Sequence, residues 1–352
     1  MKERRSHFDV TNRVHIADPG AVCEAVCAIL KRRYAKVDLR PVRLAFDTFG
    51  RMYAGTLPGY HGCDTWYHDA QHSLDCALAM ARLVDGHDRV AAAAQRLGPR
   101  RARLGVICAL FHDAGYIRRY DDDATNGAEF TLSHVGRSAE FLREFLPRIG
   151  FGREARLAAR IVHFTGYEIA LDRIRVRNRR DRALGFLLGT ADVLAQMSDR
   201  CYLEKCRTFL YHEFETCGLA GQRRPDGPRP IYESPEDLMV KTPEFAKKLF
   251  AERLDGYFLG MHRYMREHFN GINPYLFEIE KQLEHVQRVI AQGGEGWLRR
   301  RPQSVNARAL RRILKLRLAD FHPRMKARVA ARKAREESVA ERGRKMEQYR
   351  PY

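Results

Sequence analysis

A histidine and an aspartate stand side by side at His112-Asp113, at the end of the apolar run Leu104 to Phe111 and just ahead of Gly115. Such a run reads as a buried helix. Burying an ionised carboxylate costs several kcal/mol unless positive charge compensates it. A metal cation would compensate it, and imidazole beside carboxylate is a fitting ligand pair. His68-Asp69 and His87-Asp88 repeat the dipeptide, the latter read as a solvated helix end. In Tyr67-His68-Asp69-Ala70-Gln71-His72 two histidines lie four residues apart. On a helix spanning 66–84 they share one face, with Cβ atoms roughly 6 Å apart. That spacing suits one metal ligand and a neighbour working beside the metal, or an exposed pair. Asp192 is a lone acid in the apolar stretch Leu184 to Leu194, so it is paired, protonated, metal-bound, or caps a neighbouring helix.

The ordered set His72, His112-Asp113 and Asp192 resembles the H…HD…D pattern of metal-dependent phosphohydrolases of the HD superfamily, over residues 50–220. Within it, Tyr67 to His72 is similar to the H-N-x-x-H motif of cyclic-nucleotide phosphodiesterase catalytic domains. The stretch through Tyr211-His212-Glu213-Phe214 resembles the helix after the last ligand in those enzymes. The resemblance implies an HD-domain helical bundle with two divalent ions, drawn from Fe, Mn, Zn and Mg. His72, His112, Asp113 and Asp192 would hold the first, with Asp113 bridging to the second. His68 would protonate the leaving oxygen. His134 and His163 fall where related enzymes keep histidines near the second metal or its waters, and either would serve equally as a core histidine.

The expected reaction is phosphodiester hydrolysis of a small phosphoester or nucleotide by a metal-bridging hydroxide. A nucleotide mono- or triphosphate hydrolase on the same site, or a non-catalytic module binding nucleotide or nucleic acid, are the alternatives. Three departures stand out. Asp69 replaces the asparagine of the phosphodiesterase motif. Tyr116 stands where the cyclic-di-nucleotide class has a lysine, and no Gly-Tyr-Pro follows. Neither Gln196 nor Gln222 sits in the context of a purine-reading glutamine.

Helical spacing recurs at 21–34, 42–52, 66–84, 88–96, 101–112, 133–145, 154–163, 183–199, 201–216, 243–269, 274–290, 305–318 and 324–348. Strand patterns are nearly absent, which predicts an all-α fold with a basic helical C-terminal extension. Residues 55–64, 118–133 and 221–235 read as loops, the last a possible lid, and Gly293 to Gly296 as a joint. The expected organisation is an N-terminal helical lead-in (1–50), the catalytic core (51–220), a lid loop with further helices (221–292) and a basic tail (293–352). At 352 residues, with 45% hydrophobic and 10% aromatic content, the chain can bury a sizeable core.

Of the net charge of +19, 13 units fall between Arg299 and Arg350. That tail reads as a solvated helix, an oligomerisation helix, or a weak contact with a polyanion. Arg118 and Arg119 read as loop charges that could also meet a phosphate. Tyr257, Phe258, Tyr264 and Phe269 read as core. Eight scattered cysteines without a C-x-x-C pair read as small buried hydrophobes. No signal-like segment and no membrane-length apolar run is visible, so the expectation is a soluble cytoplasmic protein. Nothing in the sequence reports the oligomeric state.

Overall fold

Helix α3 (Ala70–Val90) is buried along nearly its whole length, and α1 (Pro19–Arg33), α4 (Gly98–Leu110), α7 (Arg179–Met197) and α11 (Tyr264–His268) pack against it. The structure is a computed structural model that describes residues 5–222, 229–292 and 298–315. A helix without a polar face belongs in a core. Small residues let its neighbours close in: a Cβ on Gly86 would lie 1.9 Å from the Tyr264 carbonyl oxygen.

Around this axis the chain adds α2 (Arg40–Tyr53), α5 (His134–Phe145) and α6 (Ala155–Ile161). After α7 come α8 (Tyr202–Lys205), a π-helical segment (Cys206–Leu210) and α9 (Tyr211–Thr216). Next are α10 (Pro235–Lys248), a second π-helical segment (Leu249–Tyr257), α11 and α12 (Pro274–Ala291). Among the described residues there is no strand, only isolated bridges such as Ala220 to Tyr232. The fold is all-α. No described helix is long and apolar enough to cross a membrane. All eight cysteines are free thiols, and seven of them are buried.

Several boundaries differ from the periodicity. The helix expected from residue 66 starts at Ala70, because the Asp69 carboxylate accepts the His72 N–H at 3.1 Å and caps the helix there. It runs on to Val90 and absorbs the start of the helix expected at 88–96; no helix follows before Gly98. His87 and Asp88, expected to be solvated, are buried. Asp88 accepts from the Tyr34 hydroxyl at 2.6 Å and from the Leu97 and Gly98 N–H groups at 2.8 and 2.9 Å. The helix expected over 243–269 is interrupted at Leu259 and Gly260, which have φ of 55° and 68°.

The chain divides into one unit from Met1 to Leu310 and another from Arg311. Residues 298–310, expected in the tail, therefore belong with the first unit. There Val305 N–H donates to Asp69 Oδ2 at 2.7 Å and Ala307 N–H to the Cys63 carbonyl at 2.9 Å. Residues 307–315 are helical. The glycine joint, part of the 221–235 loop, and the basic helix expected over 324–348 lie outside the described residues.

A buried ionic knot ties the N-terminal segment to α3 and α12. Asp9 accepts from the Arg82 guanidinium, the Thr11 hydroxyl (2.7 Å) and the Arg13 and Val14 N–H groups (2.9 and 2.8 Å). Arg82 also donates to the Tyr275 hydroxyl at 2.8 Å. Burial pushes the Asp9 carboxyl up, but Arg82 and these donors outweigh it and hold it at about 2. A depressed carboxylate stabilises the fold in full above its unfolded value and loses that contribution as pH falls through its folded value. Stability should therefore drop between about pH 4 and pH 2. Asp9→Asn should cost about 3–5 kcal/mol in urea unfolding at pH 7 and flatten that acid limb. An unchanged acid limb would show that the knot does not set it.

Candidate metal centre

Three mutually packed helices bring the site together. His72 lies in the first turn of α3, His112 and Asp113 in the turn just past α4, and Asp192 within α7. His72 Nε2 and His112 Nε2 are 3.2 Å apart. Asp113 Oδ2 is 3.4 and 3.2 Å from them, and Asp192 Oδ1 is 3.1 and 3.4 Å from them. His112 and Asp113 are buried, and Asp192 is half-buried.

The tautomer and the orphaned oxygen bear on what belongs here. His112 Nδ1 lies 2.8 Å from the Ala109 carbonyl, which can only accept, so the ring's first proton is on Nδ1. Its Nε2 then faces His72 Nε2 with a lone pair, and Asp113 Oδ2 is buried without a hydrogen bond. In this state burial lowers the His112 pKa, but Asp113, Cys76 and Asp192 outweigh it and draw a second proton on. The place calls for positive charge. A triangle with sides near 3.3 Å has corners about 1.9 Å from its centre, so a cation just off its plane reaches all three at the usual 2.0–2.2 Å. The His72, His112 and Asp113 atoms form such a triangle. The residues present fit a divalent ion.

Cys76, His112 and Asp192 form a second possible group. Burial pushes the Cys76 thiol up to about 11, so it stands beside the imidazole as a neutral neighbour.

A second arc faces Asp113 from the other side. His134 Nε2 is 3.5 Å from Asp113 Oδ1, while its Nδ1 bonds the Thr131 carbonyl at 2.8 Å. Burial pushes His134 down to about 4, leaving it neutral with a bare Nε2 toward the carboxylate. Gly115 allows this approach, because a Cβ there would lie 1.9 Å from the His134 carbonyl. The first turn of α5 is capped by Glu168, which accepts from Val135 N–H (2.8 Å) and Gly136 N–H (3.0 Å). Ser133, expected to cap it, turns its hydroxyl to the Phe130 carbonyl instead.

His68 precedes α3 and so does not share a helix face with His72. Its Nδ1 lies 2.6 Å from Glu213 Oε2, while Glu213 Oε1 accepts the Trp66 and Tyr67 N–H groups at 2.7 and 2.6 Å. The ring stacks on Tyr116, centroids 4.4 Å apart, and Tyr116 stacks in turn on His134. Burial lowers the His68 pKa, but Glu213 more than offsets this and holds it above the ordinary imidazole value. Sequence pattern assigns no role to Glu168, and none to Glu213 beyond its place in the stretch 211–214. Glu213 is buried, but its neighbours His212 and Glu215 are polar, so the apolar run that marks Asp192 is missing around it.

His163 is not brought to the group. It borders a separate depression with Arg160, Arg173, Arg175 and Arg177, and α6 ends just ahead of it. Arg118 is paired with Asp64 at 2.8 Å and Arg119 lies 3.7 Å from Glu144. A cavity of about 470 Å³ opens over His68, His72, His112, Asp113, His134 and Asp192. No family model and no curated protein matches the chain.

Adding Mn²⁺ or Zn²⁺ to chelator-treated protein should raise its melting temperature, with about 2.7 kcal/mol of stabilisation at a hundredfold excess over Kd. His112→Ala and Asp113→Ala should lose that shift and His163→Ala should keep it. A full shift in His112→Ala would show that the cation binds elsewhere.

Proposed function

We propose that this chain is a metal-dependent phosphohydrolase acting on phosphodiesters. The observation that carries the proposal is the crowding of His72, His112, Asp113 and Asp192, with Asp113 Oδ2 lacking a hydrogen bond, on the floor of an open cavity. A divalent cation held there supplies charge for phosphoryl oxygens and lowers the pKa of a water nucleophile. His134 Nε2 and Asp113 Oδ1 offer donors for a second ion.

The remaining work falls to His68. Glu213 holds its Nδ1, which turns Nε2 toward the cavity, and Glu213 also keeps the ring proton-bearing despite burial. A proton at Nε2 serves the alkoxide that leaves phosphorus, a role contributing about 10²–10⁴-fold for a poor leaving group. Tyr116 packs flat on the ring and limits its swing. A module that only binds its ligand has no use for such a dyad.

His68→Ala should retain the bound cation while losing hydrolysis of alkyl diesters by about 10²–10⁴-fold, with bis-p-nitrophenyl phosphate much less affected. Equal losses on both substrates would remove the proton-donor role. Asp113→Ala that keeps both cation and rate would end the hydrolase reading. Turnover of p-nitrophenyl phosphate but not of the diester would move the activity to monoesters.

A further inference from the structure

The cavity has two unlike ends. One holds the histidine and aspartate cluster; the other is walled by Leu210, Phe214, Leu219, Leu238 and Leu249. Leu210 closes the first π-helical segment and Leu249 opens the second. Such wide turns recur where a fold shapes a ligand site. Leu210, Phe214 and Leu219 keep part of their surface open, although apolar side chains in a finished core would be covered. At the mouth, Leu132, Ile231 and Phe245 are 62%, 54% and 37% exposed. A volume of about 470 Å³ is far more than a phosphoryl group needs and falls in the usual range for organic ligands.

Three polar side chains near the apolar end, Thr242, Arg253 and Glu168, spend hydrogen bonds on the protein's own backbone, although Arg253 Nε is buried without a partner. The Thr242 hydroxyl donates to the Leu238 carbonyl at 2.9 Å. Arg253 Nη2 donates to the Phe164 and Gly166 carbonyls at 2.8 and 3.0 Å, and its guanidinium lies over the Tyr167 ring. Glu168 is taken up by the N-terminus of α5. Gln196, one turn past Asp192, belongs to the metal end. A nucleobase packed against Leu210, Leu219, Leu238 and Leu249 would set ring donors and acceptors against apolar walls, at a cost of a few kcal/mol for each one left unmet. An alkyl or aryl group carries no such cost.

We propose that the substrate is an amphiphile: a phosphoester of a hydrophobic alcohol, with its phosphoryl group at the histidine and aspartate cluster and its alkyl or aryl body in the leucine-lined chamber. This rests on the hydrolase reading and replaces the nucleotide expected from the sequence. The rim of Leu132, Ile231 and Phe245 then forms an apolar approach for a molecule that water holds poorly.

The test is a calorimetric titration of the Mn²⁺-loaded full chain with ethyl, butyl, hexyl and octyl phosphate, each below its aggregation threshold, and with AMP. Affinity should climb about fourfold per added methylene. AMP should bind more weakly than octyl phosphate. Phe245→Glu at the rim and Leu210→Glu in the wall should flatten the series. A flat series in the wild type, AMP binding above octyl phosphate, or a slope that survives both substitutions would each overturn the assignment. Turnover of bis-p-nitrophenyl phosphate together with a flat series would retire the amphiphile alone. A clear slope with no turnover of any phosphoester would retire the hydrolase and leave a site for apolar phosphates.

Discussion

Two imidazole nitrogens face one another 3.2 Å apart at the floor of the cavity, each within 3.4 Å of carboxylate oxygens from Asp113 and Asp192. Two lone pairs at that separation would repel, and buried carboxylates are costly unless positive charge compensates them. A proton or a cation between them relieves both problems at once. Much of the architecture serves to keep this group together. The buried length of α3 holds His72 still, the packing of α4 and α7 against it sets the other ligands, and Gly115 lets α5 approach from beyond. The carbonyls of Ala109 and Thr131 orient two of the rings. Ligand orientation by such outer contacts tunes a metal as much as ligand identity does.

The core of this arrangement was legible in the sequence. His112-Asp113 and Asp192 sit in apolar runs where an acid needs a partner, and that physical oddity marks them without regard to the fold. His68 lies before α3 and not on it as the spacing predicts, because the Asp69 cap starts the helix at Ala70. Cap chemistry is local and competes with periodicity, so a boundary is decided by one side chain. Glu213 and Glu168 act across more than 30 residues of sequence, on backbone N–H groups that no motif announces. His163 shares its residue type with true members of the group but not their surroundings.

The all-α class followed from the lack of alternating patterns, and the helices around the site followed from their spacing. The extent of the first unit did not. A glycine-rich stretch and a shift to basic composition suggested an end near residue 293, yet the chain through Leu310 belongs with the body. Backbone hydrogen bonds to Asp69 and Cys63 hold it there together with the burial of Val305 and Leu310, and those hydrogen bonds leave no mark on composition.

Asp69 also explains its own identity. One carboxylate oxygen caps α3 at His72 N–H, and the other takes the Val305 N–H. Asparagine, with a single acceptor oxygen, could meet only one of these demands through its carbonyl. The turn that carries His68 and His72 is therefore finished by a residue that leaves the ribosome more than two hundred positions later. During synthesis the helices can assemble as they emerge, but this end of the bundle acquires that strut only after residue 305 has been added. A nascent chain that stops short of residue 305 therefore lacks one of the two hydrogen bonds that fix Asp69.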